Sequence, residues 1–165
     1  MKIATFASAL LLSIPLSAAA AEKDLHGTWK MVSQSQKVLD TSEVRAGRGS
    51  APRGYITFSP DGRMMSVILN DKRPKPESVA KTTDQQRIEL FNTMNAYAGT
   101  YKLEGNKLTY TFELTHNEVP ARASVRQIKL EGRKLTMVNE PALATSDGKR
   151  VQTTTVWEKV RPAKK

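Results

Sequence analysis

The sequence predicts an all-β protein in which short antiparallel strands close into a barrel or stack as a sandwich, with a single helix. Eight segments alternate apolar and polar residues or are rich in β-branched and aromatic residues, which is typical of strands. Three pairs of these segments are joined by turns that contain glycine, as in β-hairpins. Eight strands suffice for a closed barrel, whose interior is filled by side chains or holds one small ligand.

The eight predicted strands are bounded by turn residues. In chain order they cover residues 25–34, 54–59, 63–70, 98–103, 107–115, 122–130, 134–139 and 150–160. Pro60, Asp61 and Gly62 favour a tight turn after the second strand, because proline restricts φ and glycine accepts a left-handed conformation. Segments 103–109 and 130–136 have similar sequences, which indicates two further hairpins with the same kind of turn.

One helix is predicted over residues 84–95, between the third and fourth strands. Thr83 suits the N-cap, and Gln86 completes a capping box with it. Three apolar residues follow at helical spacing and are expected to pack on the barrel: Ile88, Phe91 and Met94. Two basic loops with glycine and proline, 36–53 and 71–82, are expected to be flexible lips of the barrel.

Residues 1–21 have the pattern of a secretory signal peptide. Lys2 gives a positive start, an apolar run follows, and Ala19 and Ala21 occupy the small positions before Glu22. The apolar run is too short to cross a bilayer of about 30 Å. We therefore expect an exported protein, periplasmic or secreted, that is cleaved near Ala21 and Glu22.

The rest of the chain is expected to form one domain over residues 22–160 and a disordered basic tail over residues 161–165. The absence of cysteine excludes disulfides, thiol nucleophiles and cysteine metal sites. The formal net charge of +10 favours anionic partners, although the charge also fits a role in solubility alone. Because export argues against nucleic acid, we expect an anionic small molecule or peripheral contact with anionic lipid.

Several motifs along the chain carry a family resemblance. Gly27, Thr28 and Trp29 are similar to the Gly-x-Trp signature of lipocalins. Longer matches are PRGYITFSPDGRM at 52–64, AYAGTY at 96–101, and Arg126 followed by 130–135 and Trp157. Over residues 25–160 these motifs resemble the bacterial lipocalin-like domain family. The resemblance implies a lipocalin-like, eight-stranded antiparallel barrel with an internal pocket, in a family most of whose members have no assigned activity.

Two features depart from the pattern of that family. The predicted helix precedes the fourth strand, whereas lipocalins have their helix after the last strand. Lys159 stands where many members have an arginine after the tryptophan. A stacked arginine at the closed end is therefore missing, unless Arg161 replaces it.

Alternation along the strands assigns the side chains that point into the barrel. The inward sets are Leu108, Tyr110, Phe112 and Leu114; Ser124, Arg126, Ile128 and Leu130; Trp29, Met31 and Ser33; Gly99, Tyr101 and Leu103; and Val151, Thr153, Thr155 and Trp157. We expect Trp29 to plug the closed end of the barrel.

The inward-facing Arg126 is the clearest indication of a ligand, because a buried guanidinium is costly without a partner. No acidic residue of the neighbouring strands shares its face, since Glu113 is predicted to point outward. Two roles fit this residue. Arg126 binds the carboxylate or phosphate of a ligand, or it is satisfied by Tyr101, Tyr110 and the backbone at the mouth of the barrel.

The sequence therefore predicts a protein that binds a small, largely apolar and anionic molecule inside the barrel. The predicted binding residues are Arg126, Tyr101, Tyr110, Phe112, Trp157 and Met31, with Leu114 and Ile128 also against the apolar part. Core packing alone also accounts for the aromatic residues among them. No cofactor and no metal are expected, because the two histidines have no recognisable third ligand.

Two other functions stay open. An isomerase or hydrolase would act on such a molecule with His116 or Tyr110 as proton carrier, and His116 is the candidate catalytic residue. An interaction module would dock the loops 36–53 and 71–82 on an anionic lipid surface, and its binding would depend strongly on salt.

Overall fold

Long strands wind into an antiparallel barrel in the part of the chain described by the computed structural model, residues 20–119, 123–144 and 146–161. Residues 1–19 of the predicted signal peptide and residues 162–165 of the predicted tail lie outside the described residues. The first residue of the predicted strand 122–130 also lies outside them.

The strands follow one another along the chain with two helices among them. They are β1 (Gly27–Val38), β2 (Val44–Ala46), β3 (Arg53–Phe58), β4 (Arg63–Leu69), β5 (Met94–Glu104), β6 (Lys107–Thr115), β7 (Ser124–Glu131), β8 (Lys134–Asn139), β9 (Ala142–Leu143) and β10 (Arg150–Lys159). The helices are α1 (Glu22–Leu25) and α2 (Asp84–Asn92). Strands β2 and β9 are short additions beside β1 and β10, and the other eight described strands form the barrel.

Hydrogen bonding between β1 and β10 closes the barrel. Met31 lies opposite Trp157 across this pair, and each long strand pairs antiparallel with the next long strand around the sheet. Closure removes the open edges that a flat sheet of these strands would have. The predicted all-β closed barrel of eight antiparallel strands is confirmed.

The predicted position of the helix, between the third and fourth strands, is wrong. Residues Val44–Ala46, expected to be loop, form β2 and pair with β1, so that α2 follows β4. The partner for β2 exists because β1 runs on to Val38, beyond its predicted end. The predicted capping box of Thr83 and Gln86 is present, and α2 begins at Asp84.

Helix α2 does not pack its apolar residues on the barrel, contrary to the prediction. Ile88 and Phe91 are 54% and 46% exposed, and Met94 already belongs to β5. The helix has only nine residues, most of them polar, so it has no broad apolar face to bury. Its last turn leads into β5 and lies at the mouth of the barrel.

A β-bulge in the β5–β6 pair reverses the predicted faces of the residues after it. Ala98 lies opposite Leu114 but Gly99 lies opposite Phe112, which leaves Glu113 as the extra residue. Leu114 therefore points outward and is 66% exposed, so the prediction that it faces inward is wrong.

A second bulge in the β1–β10 pair has the same effect on β1. The extra residue is Val32, between Met31 and Ser33. Ser33 is exposed, contrary to the prediction. Gln34 and Gln36 point into the barrel in its place.

Trp29 fills one end of the barrel, next to α1, as expected of a plug. It is fully buried, and its Nε1 donates a hydrogen bond to the Leu25 carbonyl at 2.7 Å. The Lys159 ammonium lies 5.2 Å from the centroid of the Trp29 ring and donates to the Asp24 carbonyl at 2.8 Å. Lys159 thus provides the cation over the tryptophan face, and Arg161 is exposed.

Candidate functional site

A cavity of about 450 Å³ lies inside the barrel at the end away from Trp29. Part of its apolar lining comes from strands β4, β6, β8 and β10: Ile68, Phe112, Met137, Val151 and Trp157. Amide side chains line much of the rest: Gln34, Gln36, Asn95, Asn117 and Asn139. Two arginines also line the cavity, and no carboxylate among the described residues does. The cavity is therefore amphipathic and positively charged.

Arg126 is the arginine that β7 contributes. It lies opposite Asn139 of β8 and is 9% exposed, with its Cζ 4.0 Å from the centroid of the Tyr110 ring. Its Nη1 donates to the Ser124 carbonyl at 3.4 Å, a long hydrogen bond. Among the described residues no carboxylate forms an ion pair with Arg126. Its charge is therefore stacked on an aromatic ring but not neutralised.

Tyr110 contacts Arg126 with the face of its ring and not with its hydroxyl. The side chain is fully buried, and its hydroxyl donates to Sδ of Met137 at 3.5 Å. Burial raises the pKa of the Tyr110 phenol well above its ordinary range, although Arg126 acts in the opposite direction. The phenol is therefore neutral and protonated at physiological pH.

Arg48, on the loop between β2 and β3, brings the second cation to the cavity. Its Nη1 donates to Oδ1 of Asn70 at 3.0 Å, whereas its Nε is buried without a hydrogen-bond partner among the described residues. Burial lowers the pKa of Arg48, and Tyr97 acts in the opposite direction. The sequence indicated Arg48 only as part of a basic loop, because a loop has no periodicity that orients its side chains.

Asp71 holds the loop that carries Arg48. Its carboxylate accepts hydrogen bonds from the Ser50 N–H at 2.7 Å and the Ser50 hydroxyl at 3.1 Å, and its own N–H donates to the Arg48 carbonyl at 3.1 Å. Burial acts to raise the pKa of Asp71, but hydrogen bonds from the backbone of Ser50 and Lys72 outweigh it and lower the pKa. Glycine is favoured at position 49, because its φ is +86° and a Cβ would lie 1.9 Å from Oδ1 of Asp71.

Trp157 lines the cavity, and its indole donor has no hydrogen-bond partner among the described residues. Its side chain is 2% exposed, and its Nε1 is buried with no hydrogen-bond partner among the described residues. Thr155, on the same face of β10, accepts a hydrogen bond from Nε2 of Gln34 at 3.3 Å. The described residues supply no acceptor for the Trp157 indole N–H, although a buried donor of this kind normally has one.

Three predicted binding residues line the cavity together: Arg126, Phe112 and Trp157. The other three are buried outside its lining: Tyr101, Tyr110 and Met31. The hydroxyl of Tyr101 donates to the Ser59 carbonyl at 3.0 Å, which orients it toward the closed end. Participation of these six residues in binding stays a prediction.

His116 lies outside the lining of this cavity, in an adjoining one of about 640 Å³. The two cavities share five lining residues: Gln34, Gln36, Arg48, Asn95 and Asn117. Its Nδ1 accepts a hydrogen bond from the Ala96 N–H at 3.4 Å, and its ring lies 5.1 Å from that of Phe91. These contacts place the imidazole at the mouth of the barrel, between β5 and α2.

Residues 20–119, 123–144 and 146–161 contain neither a metal-binding cluster nor a membrane-spanning helix. No group of three or more side chains there is arranged to hold a metal ion. None of the helices in these ranges has the length and apolar character needed to cross a membrane.

No curated protein matches the sequence. A family model described as a lipocalin-like domain matches residues 26–160, which include every barrel strand and both arginines of the cavity. The chain therefore belongs to the lipocalin-like domain family.

Proposed function

We propose that this protein binds one small amphipathic anion inside its barrel, with the acidic group on Arg126 and the apolar part on the cavity lining. The observation that carries the proposal is the buried guanidinium of Arg126, which faces a cavity with no carboxylate on its described lining. A lipocalin-like barrel suits a small apolar ligand in general. The anionic group is inferred from Arg126.

The buried charge of Arg126 favours a counter-ion from outside the chain. Taking an ion out of water costs several kcal/mol unless opposite charge and hydrogen bonds replace the water. Stacking on Tyr110 contributes about 0.5–2 kcal/mol, and the Ser124 carbonyl at 3.4 Å is a weak acceptor. A carboxylate or phosphate would accept two parallel N–H bonds from the guanidinium.

The apolar lining supports binding of the rest of the ligand. Phe112, Met137 and Trp157 offer surface against which an acyl or aromatic group can be buried. Each Å² of apolar surface removed from water contributes about 25 cal/mol. A volume of about 450 Å³ also falls within the range of roughly 300–1,000 Å³ that is usual for small-molecule sites.

Dodecanoate and dodecanol are suitable probes, because they share a chain length and differ in the acidic group. The intrinsic tryptophan fluorescence reports their binding, because Trp157 lines the cavity whereas Trp29 is buried at the closed end. We expect dodecanoate to bind more tightly, and Arg126→Met to weaken its binding about 10- to 100-fold with little effect on dodecanol. Lys129→Met is the matched control, since Lys129 is an exposed cation on the same strand.

Binding of neither probe to the native protein would contradict the proposed function. Equal affinities for dodecanoate and dodecanol, or equal losses in Arg126→Met and Lys129→Met, would contradict the role of Arg126 as the anchor. Thermal unfolding of both variants checks that each is folded.

We further propose that the protein is exported and that residues 1–21 are removed. The support is the sequence pattern of a positive start, an apolar run and small residues before Glu22. N-terminal sequencing of the exported protein should therefore begin at or near Glu22. A mature chain that retains Met1 would contradict this proposal.

The enzyme alternative has less support than binding. Tyr110 is poorly suited to carry protons, because it is fully buried and its pKa is raised by that burial. His116 lies in the adjoining cavity, with one ring nitrogen accepting a backbone hydrogen bond. No described ion pair gives His116 a carboxylate partner.

The interaction-module alternative is weakened by ion pairs that two basic residues of the loops form with acidic residues of the chain. Arg45 pairs with Asp147 and Lys81 pairs with Glu77. Part of the positive charge of the loops is therefore neutralised before any anionic surface is met, which lowers the expected attraction.

A further inference from the structure

We infer that the ligand carries two negative charges and that Arg48 binds the second, an inference that rests on the proposed binding of an anion at Arg126. Both arginines line the cavity, one from β7 and one from the loop between β2 and β3. No carboxylate among the described residues lines the cavity or pairs with either guanidinium. A ligand with one negative charge would leave one of the two cations without a counter-ion.

The contacts within the loop hold Arg48 at the cavity but do not neutralise the charge of its guanidinium. The Asp71 carboxylate accepts from the Ser50 N–H at 2.7 Å, the Ser50 hydroxyl at 3.1 Å and the Ala51 N–H at 3.4 Å. Gly49 has a φ of +86° and fits the turn around this carboxylate. Arg48 forms no ion pair with Asp71 or with any other described carboxylate, so its guanidinium has no counter-ion among the described residues.

Two residues of the cavity each have a buried donor without a hydrogen-bond partner among the described residues. Among the described residues, three buried polar side-chain atoms lack a hydrogen-bond partner, and two of them belong to residues of this cavity: Arg48 Nε and Trp157 Nε1. Both atoms act only as donors. A phosphate monoester or a pair of carboxylates offers more acceptor oxygens than a single carboxylate, and so suits the two guanidinium groups that line the cavity better.

Two pairs of probes that differ by one charge test this inference at pH 8. Dodecyl phosphate is compared with its methyl ester, and dodecanedioate is compared with its monomethyl ester. The first dianion carries both charges on one head group and the second carries them at opposite ends, so the comparison also shows which spacing fits. We expect at least one dianion to bind about tenfold or more tightly than its ester.

Variants of Arg48 test whether this residue causes the tighter binding of the dianion. Arg48→Gln should abolish the preference while the esters still bind, and Arg48→Lys should keep part of it because the charge remains. Arg53→Gln is the matched control, since Arg53 is an exposed arginine at the start of β3. If Arg48→Gln lowers the unfolding temperature, Arg48→Lys is used in its place to measure the preference.

Equal binding of each dianion and its ester to the native protein would overturn the inference and leave the proposed function intact. Equal reduction of the preference by Arg48→Gln and Arg53→Gln would overturn it as well. Failure of all four probes to bind the native protein would instead overturn the proposed function.

Discussion

Gly99 lets β5 and β6 approach more closely than a Cβ atom would allow. A Cβ at this position would lie 2.0 Å from the Thr111 carbonyl oxygen. The close approach coincides with the bulge at Glu113, beyond which Leu114 points outward while Phe112 lines the cavity. The absence of one side chain thus helps to determine which residues the cavity receives.

Gly99→Ala should destabilise the fold by about 3 kcal/mol or more, because a backbone carbonyl cannot move aside as a flexible side chain can. Denaturant unfolding measures the change in the free energy of unfolding. Gly62→Ala is the control: its Cβ meets open space, so the loss is limited to the strain of a positive φ, about 1–2 kcal/mol. A loss in Gly99→Ala no larger than that in Gly62→Ala would contradict this account.

Individual residues show how far alternation predicts a site. The inward orientation of Arg126 is predictable because it shares a face with Ile128 in a stretch of β7 without a bulge. Leu114 and Ser33 lie beyond bulges, and one extra residue reverses every face after it. Arg48 could not be predicted, because its orientation depends on loop contacts between residues distant in sequence.

Elements around the mouth of the barrel are joined by polar contacts. Arg45 of β2 donates two hydrogen bonds to Asp147, at 2.5 and 3.1 Å, in the connection between β9 and β10. These hydrogen bonds lower the pKa of Asp147 to about 2, although burial acts in the opposite direction. The contact ties the two short strands to one side of the mouth.

The depressed pKa of Asp147 predicts a defined pH dependence of stability. The contribution is present above the unfolded-state pKa of about 3.9 and is lost as the pH falls toward the folded-state value of about 2. Asp147→Asn should therefore have a lower unfolding temperature than the native protein at pH 7, and the difference should shrink between about pH 5 and pH 2. Thermal unfolding across this range measures it.

Asp40→Asn is the control for this comparison, because it removes an exposed carboxylate between β1 and β2. The difference in unfolding temperature between Asp40→Asn and the native protein should not shrink as the pH falls. A difference between Asp147→Asn and the native protein that is constant from pH 7 to pH 2 would contradict the assigned pairing.

The elements also differ in how well they could be predicted. The eight barrel strands have alternating residues and glycine-containing turns, and α2 has a capping box, so their presence follows from local chemistry. Strands β2 and β9 have three and two residues, which is too short for any periodicity. The packing of α2 was wrongly predicted because apolar spacing alone does not show whether a surface is available to cover it.

The whole molecule has a filled end and an open end. Trp29, beneath α1 and Lys159, fills one end, and the cavity with Arg126 and Arg48 occupies the other. A buried cation without a counter-ion, such as Arg126, opposes folding, whereas a ligand that binds only the folded state stabilises it. The barrel therefore combines a packed core that supports the fold with a charged cavity suited to an anion.

Native mass spectrometry of the protein purified from the cells that make it tests the binding of an anion at Arg126 most directly. The account predicts a bound acidic molecule on the native protein and on Lys129→Met, and its absence from Arg126→Met. A native protein that is always empty, or the same bound molecule on both variants, would contradict the account.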